Sequence, residues 1–275
     1  MKLSLGISPC PNDTFIFDHF IHDYKHANDI QFDVSLEDVE TLNESALNGE
    51  YDVVKISMGV FPTIQHHYEL LNAGGAMGKG VGPLLIQRAT DPVLRIESTP
   101  IAIPGVHTTA HFLLMSAFPT VSRKIFMRYD AIEDFVLSGK GMGVIIHENR
   151  FTYAERGLYK RMDLGEQWEN KTGSPVPLGG IGIRRSLPEQ VKRNIETAIC
   201  DSLKQAWENY PLLSDFVRNH AQEMHESVMR QHIDLYVTPY SMNWGDSGRE
   251  AIRNMFAHIH SDTNCVLPIF LGESN

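Results

Sequence analysis

Short apolar stretches alternate with segments of helical spacing from the first residues of this chain, and that alternation constrains the fold more than any other feature. Apolar runs at 3–7, 30–36 and 51–56 are separated by helix-like segments at 14–24 and 41–47. Strands and helices in that rhythm build parallel βαβ units, because a parallel neighbour is reached only by a crossover that a helix can supply. Asn12 or Asp13 is the expected N-cap of the first helix, which carries Phe15, Phe17, Phe20 and Ile21 on its apolar face. Asn48-Gly49 supplies the stop of the second. A second series repeats the pattern, with strands at 100–103, 124–128 and 142–146 and helices at 109–117 and 131–137. Between the two series lie five glycines at 74, 75, 78, 80 and 82, read as a tight turn and hinge, and then a strand at 83–86 leaving the first unit. The Pro- and Gly-rich stretch 174–180 and a strand at 181–183 mark the return, followed by a long helix over 187–210 and helices near 212–220, 227–236 and 247–260.

The expected architecture is therefore α/β and two-lobed, with two crossover segments and an interdomain cleft. Residues 1–90 and 177–275 form a large discontinuous domain, and 91–176 a smaller inserted one. A length of 275 residues with 42% hydrophobic and 21% charged residues suits a chain with a sizeable core. The formal charge of −10 works against general binding to nucleic acid or anionic membrane, which needs excess Lys and Arg; a small anion can still be held by local dipoles. No apolar run approaches the ~18 residues of a membrane span, and the N-terminus lacks a signal-peptide pattern, so a cytoplasmic protein without membrane insertion is expected. Cys10, Cys200 and Cys265 have no C-x-x-C spacing, so neither a disulfide framework nor a metal ribbon is expected.

Ligands of such folds bind beyond the carboxyl ends of strands. That rule selects residues 8–13, Lys55 with Ser57, 104–109 and His147. In the 104–109 loop, backbone N–H groups and the hydroxyls of Thr108 and Thr109 can converge on a carboxylate at a helix N-terminus, or one Thr can simply cap the helix. Ser57 lacks the first glycine of a nucleophile elbow and reads as a hydrogen-bond donor or another cap. His147 has the residue type for proton abstraction near neutral pH, or for a structural imidazole. The run from His147-Glu148 to Phe151 puts Phe where a zincin needs its second His. The pairs His22/His26 and His107/His111 have i, i+4 spacing but no third ligand at a metal-site interval, so no metal is expected. The glycine cluster fits neither phosphate-binding fingerprint. Cys10 has no evident base partner and reads as a buried thiol; Asn12 and Asn43 are secondary candidates for the cleft.

The run Ser8-Pro9-Cys10-Pro11-Asn12-Asp13-Thr14-Phe15-Ile16-Phe17 resembles the opening signature of the 1,4-dihydroxy-6-naphthoate synthase family, of the futalosine route to menaquinone. The resemblance continues through Leu36-Glu37-Asp38-Val39-Glu40-Thr41-Leu42-Asn43, Gly74-Gly75-Ala76-Met77-Gly78-Lys79-Gly80-Val81-Gly82-Pro83-Leu84, Pro104-Gly105-Val106-His107-Thr108-Thr109, and Gly143-Val144-Ile145-Ile146-His147-Glu148-Asn149-Arg150-Phe151-Thr152-Tyr153, nearly the whole chain. It implies a fold like the type II periplasmic binding proteins. It also implies a lyase that needs no metal or organic cofactor and converts cyclic dehypoxanthine futalosine to 1,4-dihydroxy-6-naphthoate. The family's proposed general base falls on His147, and its substrate-contacting positions fall on Lys55, Ile56 and Ser57 and on Thr108 and Thr109. The partner implied is a small carboxylated substrate. The alternative is a non-catalytic solute binder or ligand sensor; the missing export signal and the absence of a helix-turn-helix segment before residue 1 argue against each in turn.

Overall fold

The structure is a computed structural model that describes residues 1–23, 30–222, 225–259 and 267–273. Tyr24, His26, His260 and Cys265, which enter the expectations above, lie outside the described residues. The first unit runs β1 (Lys2–Ile7), α1 (Pro11–His22), β2 (Gln31–Leu36), α2 (Val39–Leu47) and β3 (Val53–Ser57). β1 pairs in parallel with both β2 and β3. Helix α1 begins three residues before the expected start. Pro11 occupies its first turn, where a missing N–H costs nothing, and Cys10 is the N-cap, so Asn12 and Asp13 are released from capping to the site described below.

After α3 (Phe61–Ile64), β4 (Tyr68–Leu70) and β5 (Ala76–Gly78), the chain crosses to a second unit made of β6 (Leu84–Arg88), β7 (Ile101–Ile103), α4 (Thr109–Ala117), β8 (Lys124–Phe126), α5 (Ile132–Leu137) and β9 (Met142–Ile145). It continues through α6 (Asn149–Thr152), β10 (Leu158–Asp163) and α7 (Leu164–Thr172). The long strand β11 (Val176–Arg184) returns to the first sheet, and α8 (Glu189–Asn209), α9 (Asp215–His220), α10 (Glu226–Tyr236), α11 (Pro239–Met242) and α12 (Gly245–Ile259) complete the chain.

The first sheet has the order β2-β1-β3-β11-β4 with β5 also on β11, and the second has the order β10-β6-β9-β7-β8. Strand β6 thus belongs to the second sheet, antiparallel to β9 and β10, where the sequence reading had residues 83–86 leaving the first unit. A fully apolar run signals a strand buried on both faces but not which sheet buries it. Within each sheet the parallel strands follow one plan, β2-β1-β3 and β8-β7-β9. The chain leaves the central strand on one side and comes back on the other, so the carboxyl ends of β1 with β3, and of β7 with β9, each open a crevice.

The larger lobe is held by α1 and α8 against β1, β3 and β11. Phe15, Ile16 and Phe20 meet Ile195, Ile199 and Leu203 over a sheet face carrying Leu5, Ile7, Val53 and Ile181. The glycine cluster serves packing as much as turning. A Cβ on Gly75 would lie 1.7 Å from the ring of buried Trp244, whose indole N–H donates to Leu71 O at 2.8 Å.

Candidate active site

Residues from both crevices line one cavity between the lobes. From the larger lobe come Ser8, Asn12, Asp13, Lys55, Ile56 and Ser57, and from the smaller Thr108, Thr109, Ala110 and His147. Every strand-end residue singled out for the substrate or for proton transfer therefore reaches a common space. Its walls are apolar, with Val39, Ala76, Val81, Pro83, Ile146 and Leu178 among them.

Alternation along β3 turns Lys55 and Ser57 to the same side, while Ile56 points into the core shared with Val54 and Met58. The Lys55 ammonium pairs with the Asp13 carboxylate in a buried ion pair, and Lys55 also donates to Gly74 O at 3.5 Å. Ser8 Oγ donates to Asp13 at 2.7 Å and Asn12 Nδ2 at 2.8 Å, which satisfies the carboxylate's remaining acceptor sites. Lys55 thus enters the site as half of a neutral pair and not as a free positive charge. Ser57 is clamped by Asn43, which accepts from Ser57 N at 2.9 Å and donates to Ser57 Oγ at 3.0 Å; the Ser57 hydroxyl proton is left to serve a ligand.

The 104–109 loop realises both of its readings. Thr108 caps α4: its hydroxyl accepts from His111 N at 3.2 Å and donates to Gly105 O at 2.9 Å. Thr109 accepts from Gly59 N at 3.1 Å and donates to Leu178 O at 2.7 Å, joining the smaller lobe to the larger. Both hydroxyl protons are therefore committed to backbone carbonyls. The His107 N–H is likewise taken, by the Glu40 carboxylate at 3.0 Å. The first-turn N–H groups of Thr109 and Ala110 have no intrahelical acceptor and point out of the helix end, where the dipole favours negative charge. The donor set for an anion is thus backbone N–H and Ser57 O–H, with the two threonines building it.

His147 is the one non-glycine residue with a positive φ, 57°, among the described residues. A left-handed backbone costs a side-chain-bearing residue roughly 1–2 kcal/mol, so it persists only where the surroundings enforce it. Here it follows the end of β9 and aims the imidazole across the cleft, where Nδ1 meets Cys10 Sγ at 3.2 Å. The Tyr129 ring backs it edge-on at 4.9 Å. Burial lowers the pKa of His147 to about 4, with Asp13 opposing the shift and Lys55 adding to it, so the ring is neutral at physiological pH. Burial, and then the negative charge of Glu148, raises the Cys10 pKa well above its ordinary value, so the thiol stays protonated. Cys10 is the buried thiol the sequence suggests, but the fold gives it an imidazole partner that no spacing revealed. Donor atoms of Cys10, His147 and Glu148 lie within 4.8 Å of one another, and this is the set among the described residues that could hold a metal ion. Such binding would require the Cys10 proton to leave.

Two cavity residues were not anticipated, His232 and Tyr236 on α10. They share the buried face of that helix with Met229 and Ile233 at helical spacing, so in sequence they read as core. His232 is 1% exposed, and neither ring nitrogen has a hydrogen-bond partner among the described residues. Its pKa is driven down by burial and then by His147 and Lys55, and burial drives that of Tyr236 up.

The chain as a whole has close counterparts. The family described as "Menaquinone biosynthesis" matches residues 3–261. The 1,4-dihydroxy-6-naphthoate synthase of Thermus thermophilus is 41% identical over 256 residues, covering 93% of each chain. That of Streptomyces coelicolor is 39% identical over 259 residues, covering 92% of this chain and 91% of the other. Among solved structures, protein AF1704 of Archaeoglobus fulgidus superposes with a TM-score of 0.88 at 29% identity, over 94% of this chain and 97% of its own. The periplasmic aliphatic sulphonate binding protein of Escherichia coli superposes at 0.60 with 10% identity, over 86% and 79% of the two chains. That last likeness shows the fold alone, the two-lobed α/β architecture of the periplasmic binding proteins. A match over almost the full length, with two curated synthases near 40% identity, settles the family: this chain belongs to the menaquinone biosynthesis family.

Proposed function

We propose that the protein is a carbon-carbon lyase that converts cyclic dehypoxanthine futalosine to 1,4-dihydroxy-6-naphthoate, with His147 as general base. The observation that carries this reading is His147 itself: a neutral imidazole on a left-handed backbone, turned into the cavity and held at Nδ1 by Cys10. For Nε2 to accept a proton it must be the unprotonated nitrogen, so Nδ1–H donates to Cys10 Sγ in the reactive tautomer. His147 then removes an acidic proton from the ribose-derived part of the substrate. Cleavage of the C–C bond releases that part as the remaining ring system aromatises, which supplies the driving force.

The substrate carboxylate is assigned to the N-terminus of α4, with N–H donors from Thr109 and Ala110 and the Ser57 hydroxyl opposite, while the apolar walls take the flat ring system. Contacts from Thr109 to Gly59 and Leu178 hold the lobes together over the reacting atoms and exclude water from the developing carbanion.

The test is single-turnover conversion of cyclic dehypoxanthine futalosine by wild type and His147→Ala in the presence of EDTA, with ligand binding followed by calorimetry. We expect product from wild type, a loss of about 10²–10⁴-fold in the variant, and binding retained. Binding without product in wild type would leave a binding protein of the kind its distant structural neighbours are. An equally active variant would remove His147 from the role.

A further inference from the structure

The proton abstraction above leaves one buried imidazole of the cavity unused. His232 stands on α10 in the larger lobe, whereas His147 follows β9 in the smaller. Their ring centroids lie 6.4 Å apart across the cleft, with planes 29° apart. Tyr236 at 4.6 Å and Phe151 at 6.3 Å fix the His232 ring from two other sides. A neutral imidazole carries one N–H donor and one lone-pair acceptor, and in this enclosed position neither meets a partner among the described residues. Buried polar groups in folded proteins are nearly always satisfied. A cavity-lining ring beside His147 with two enclosed, unsatisfied nitrogens is a group whose missing partner a ligand can supply.

We propose that His232 is a second catalytic residue, whose ring N–H donates a hydrogen bond to the substrate oxygen on which negative charge grows as His147 withdraws the proton. This rests on the lyase reading given above. In the step, the C–H bond breaks, the proton goes to His147 Nε2, and the bonding pair moves into the adjacent carbonyl, whose oxygen becomes anionic. His232 keeps its proton throughout. Burial, with His147 and Lys55 close by, holds the ring neutral, and a neutral imidazole is a competent electrophile for a carbonyl oxygen. The carboxylate end of the substrate is served by α4 and Ser57, so a donor beside His147 falls at the reacting end.

Three full-length proteins decide it: wild type, His232→Phe and His232→Gln. Each is measured for single-turnover formation of 1,4-dihydroxy-6-naphthoate, calorimetric affinity for that product, and thermal unfolding. Phe removes both nitrogens and keeps an apolar ring, so it should fold at least as well as wild type and lower the turnover rate by about 10²–10³-fold, the usual effect of deleting one oxyanion donor. Product affinity should change less than tenfold. Gln, whose amide restores an N–H, should recover at least tenfold of the lost rate. A His232→Phe rate within threefold of wild type overturns the proposal. So does a loss that Gln fails to rescue while folding normally, or one that appears only in affinity. If His147→Ala is inactive and His232→Phe active, this inference alone fails. If wild type makes no dihydroxynaphthoate, the lyase reading fails and takes this one with it.

Discussion

At the scale of single residues, the proposed chemistry rests on His147 and Cys10. The left-handed backbone at His147 turns its ring toward a thiol whose proton burial retains, so the pair is neutral and joined by one hydrogen bond, which Nδ1–H donates in the tautomer proposed as reactive. The proposed base acts unprotonated, and burial depresses the pKa of His147 to about 4. A profile of kcat/KM against pH should therefore be flat from about 5 upward and fall as pH drops through about 4, with no inflection near the ordinary histidine value of ~6.5. An inflection near 6.5 would mean that the ring is solvated during the reaction. Cys10→Ala removes the Nδ1 partner and lets the wrong tautomer compete. We expect kcat to fall, by anything from about tenfold to the ~10⁴-fold that a wrong tautomer costs in a catalytic triad, with KM little changed. Cys10→Ser, which keeps a hydrogen-bonding atom there, should lie closer to wild type.

Strand ends and one helix start do the work at the scale of elements. β1 and β3 deliver Asp13, Lys55 and Ser57, while β7 and β9 deliver the α4 N-terminus and His147. Thr109 joins the two sets. Thr109→Val would strand the Gly59 N–H, at about 1–3 kcal/mol for a group left unpaired in a dry interface, while the Leu178 carbonyl keeps the Met58 N–H at 3.0 Å. Steady-state kinetics should show KM rising more than kcat falls, because closure on the substrate is what weakens. A different element contact carries a stability prediction. Gly75 lies beneath Trp244 with no room for a Cβ, so Gly75→Ala should lower unfolding free energy by at least about 1–3 kcal/mol in urea titrations. A variant as stable as wild type would mean that Trp244 can move aside freely.

At the scale of the whole molecule, two imidazoles between the lobes, buried His232 and half-buried His147, are held in neutral form, and folding stability becomes linked to pH. Both His147 and His232 have folded pKa values below the unfolded value of ~6.5. Between those values the unfolded chain binds more protons, so the stabilisation is complete above ~6.5 and is lost as pH falls toward the folded pKa values. The slope is about 1.4 kcal/mol per pH unit for each histidine. Urea midpoints taken from pH 7 to pH 5 should therefore fall, and the fall should be shallower in His232→Phe, which has one such group fewer. An unchanged slope in that variant would show that His232 is not buried in the folded protein in solution.

Much of this was legible in the sequence because strands and helices are written as local periodicities. The two βαβαβ series are visible from 3 to 56 and from 100 to 146, and the rule for strand ends reduces 275 residues to a short set of which Ser8, Asn12, Asp13, Lys55, Ser57, Thr108, Thr109 and His147 line the cavity. The signature runs point to the family for the same reason, since they lie in those loops. Edge strand β10 and helix α7 left no comparable trace, because the burial along β10 does not alternate. What only the tertiary structure decided are the partnerships. β6 could join either sheet until its neighbours were known, Thr108 and Thr109 looked like free hydroxyls until their carbonyl acceptors were placed, and Lys55 looked like a charge until Asp13 neutralised it. Cys10 and His147 stand 137 residues apart, and His232 reads as one polar break in an apolar helix face. Periodicity records how deeply a residue is buried and on which side, but the identity of the group it meets there is fixed only when the two lobes close.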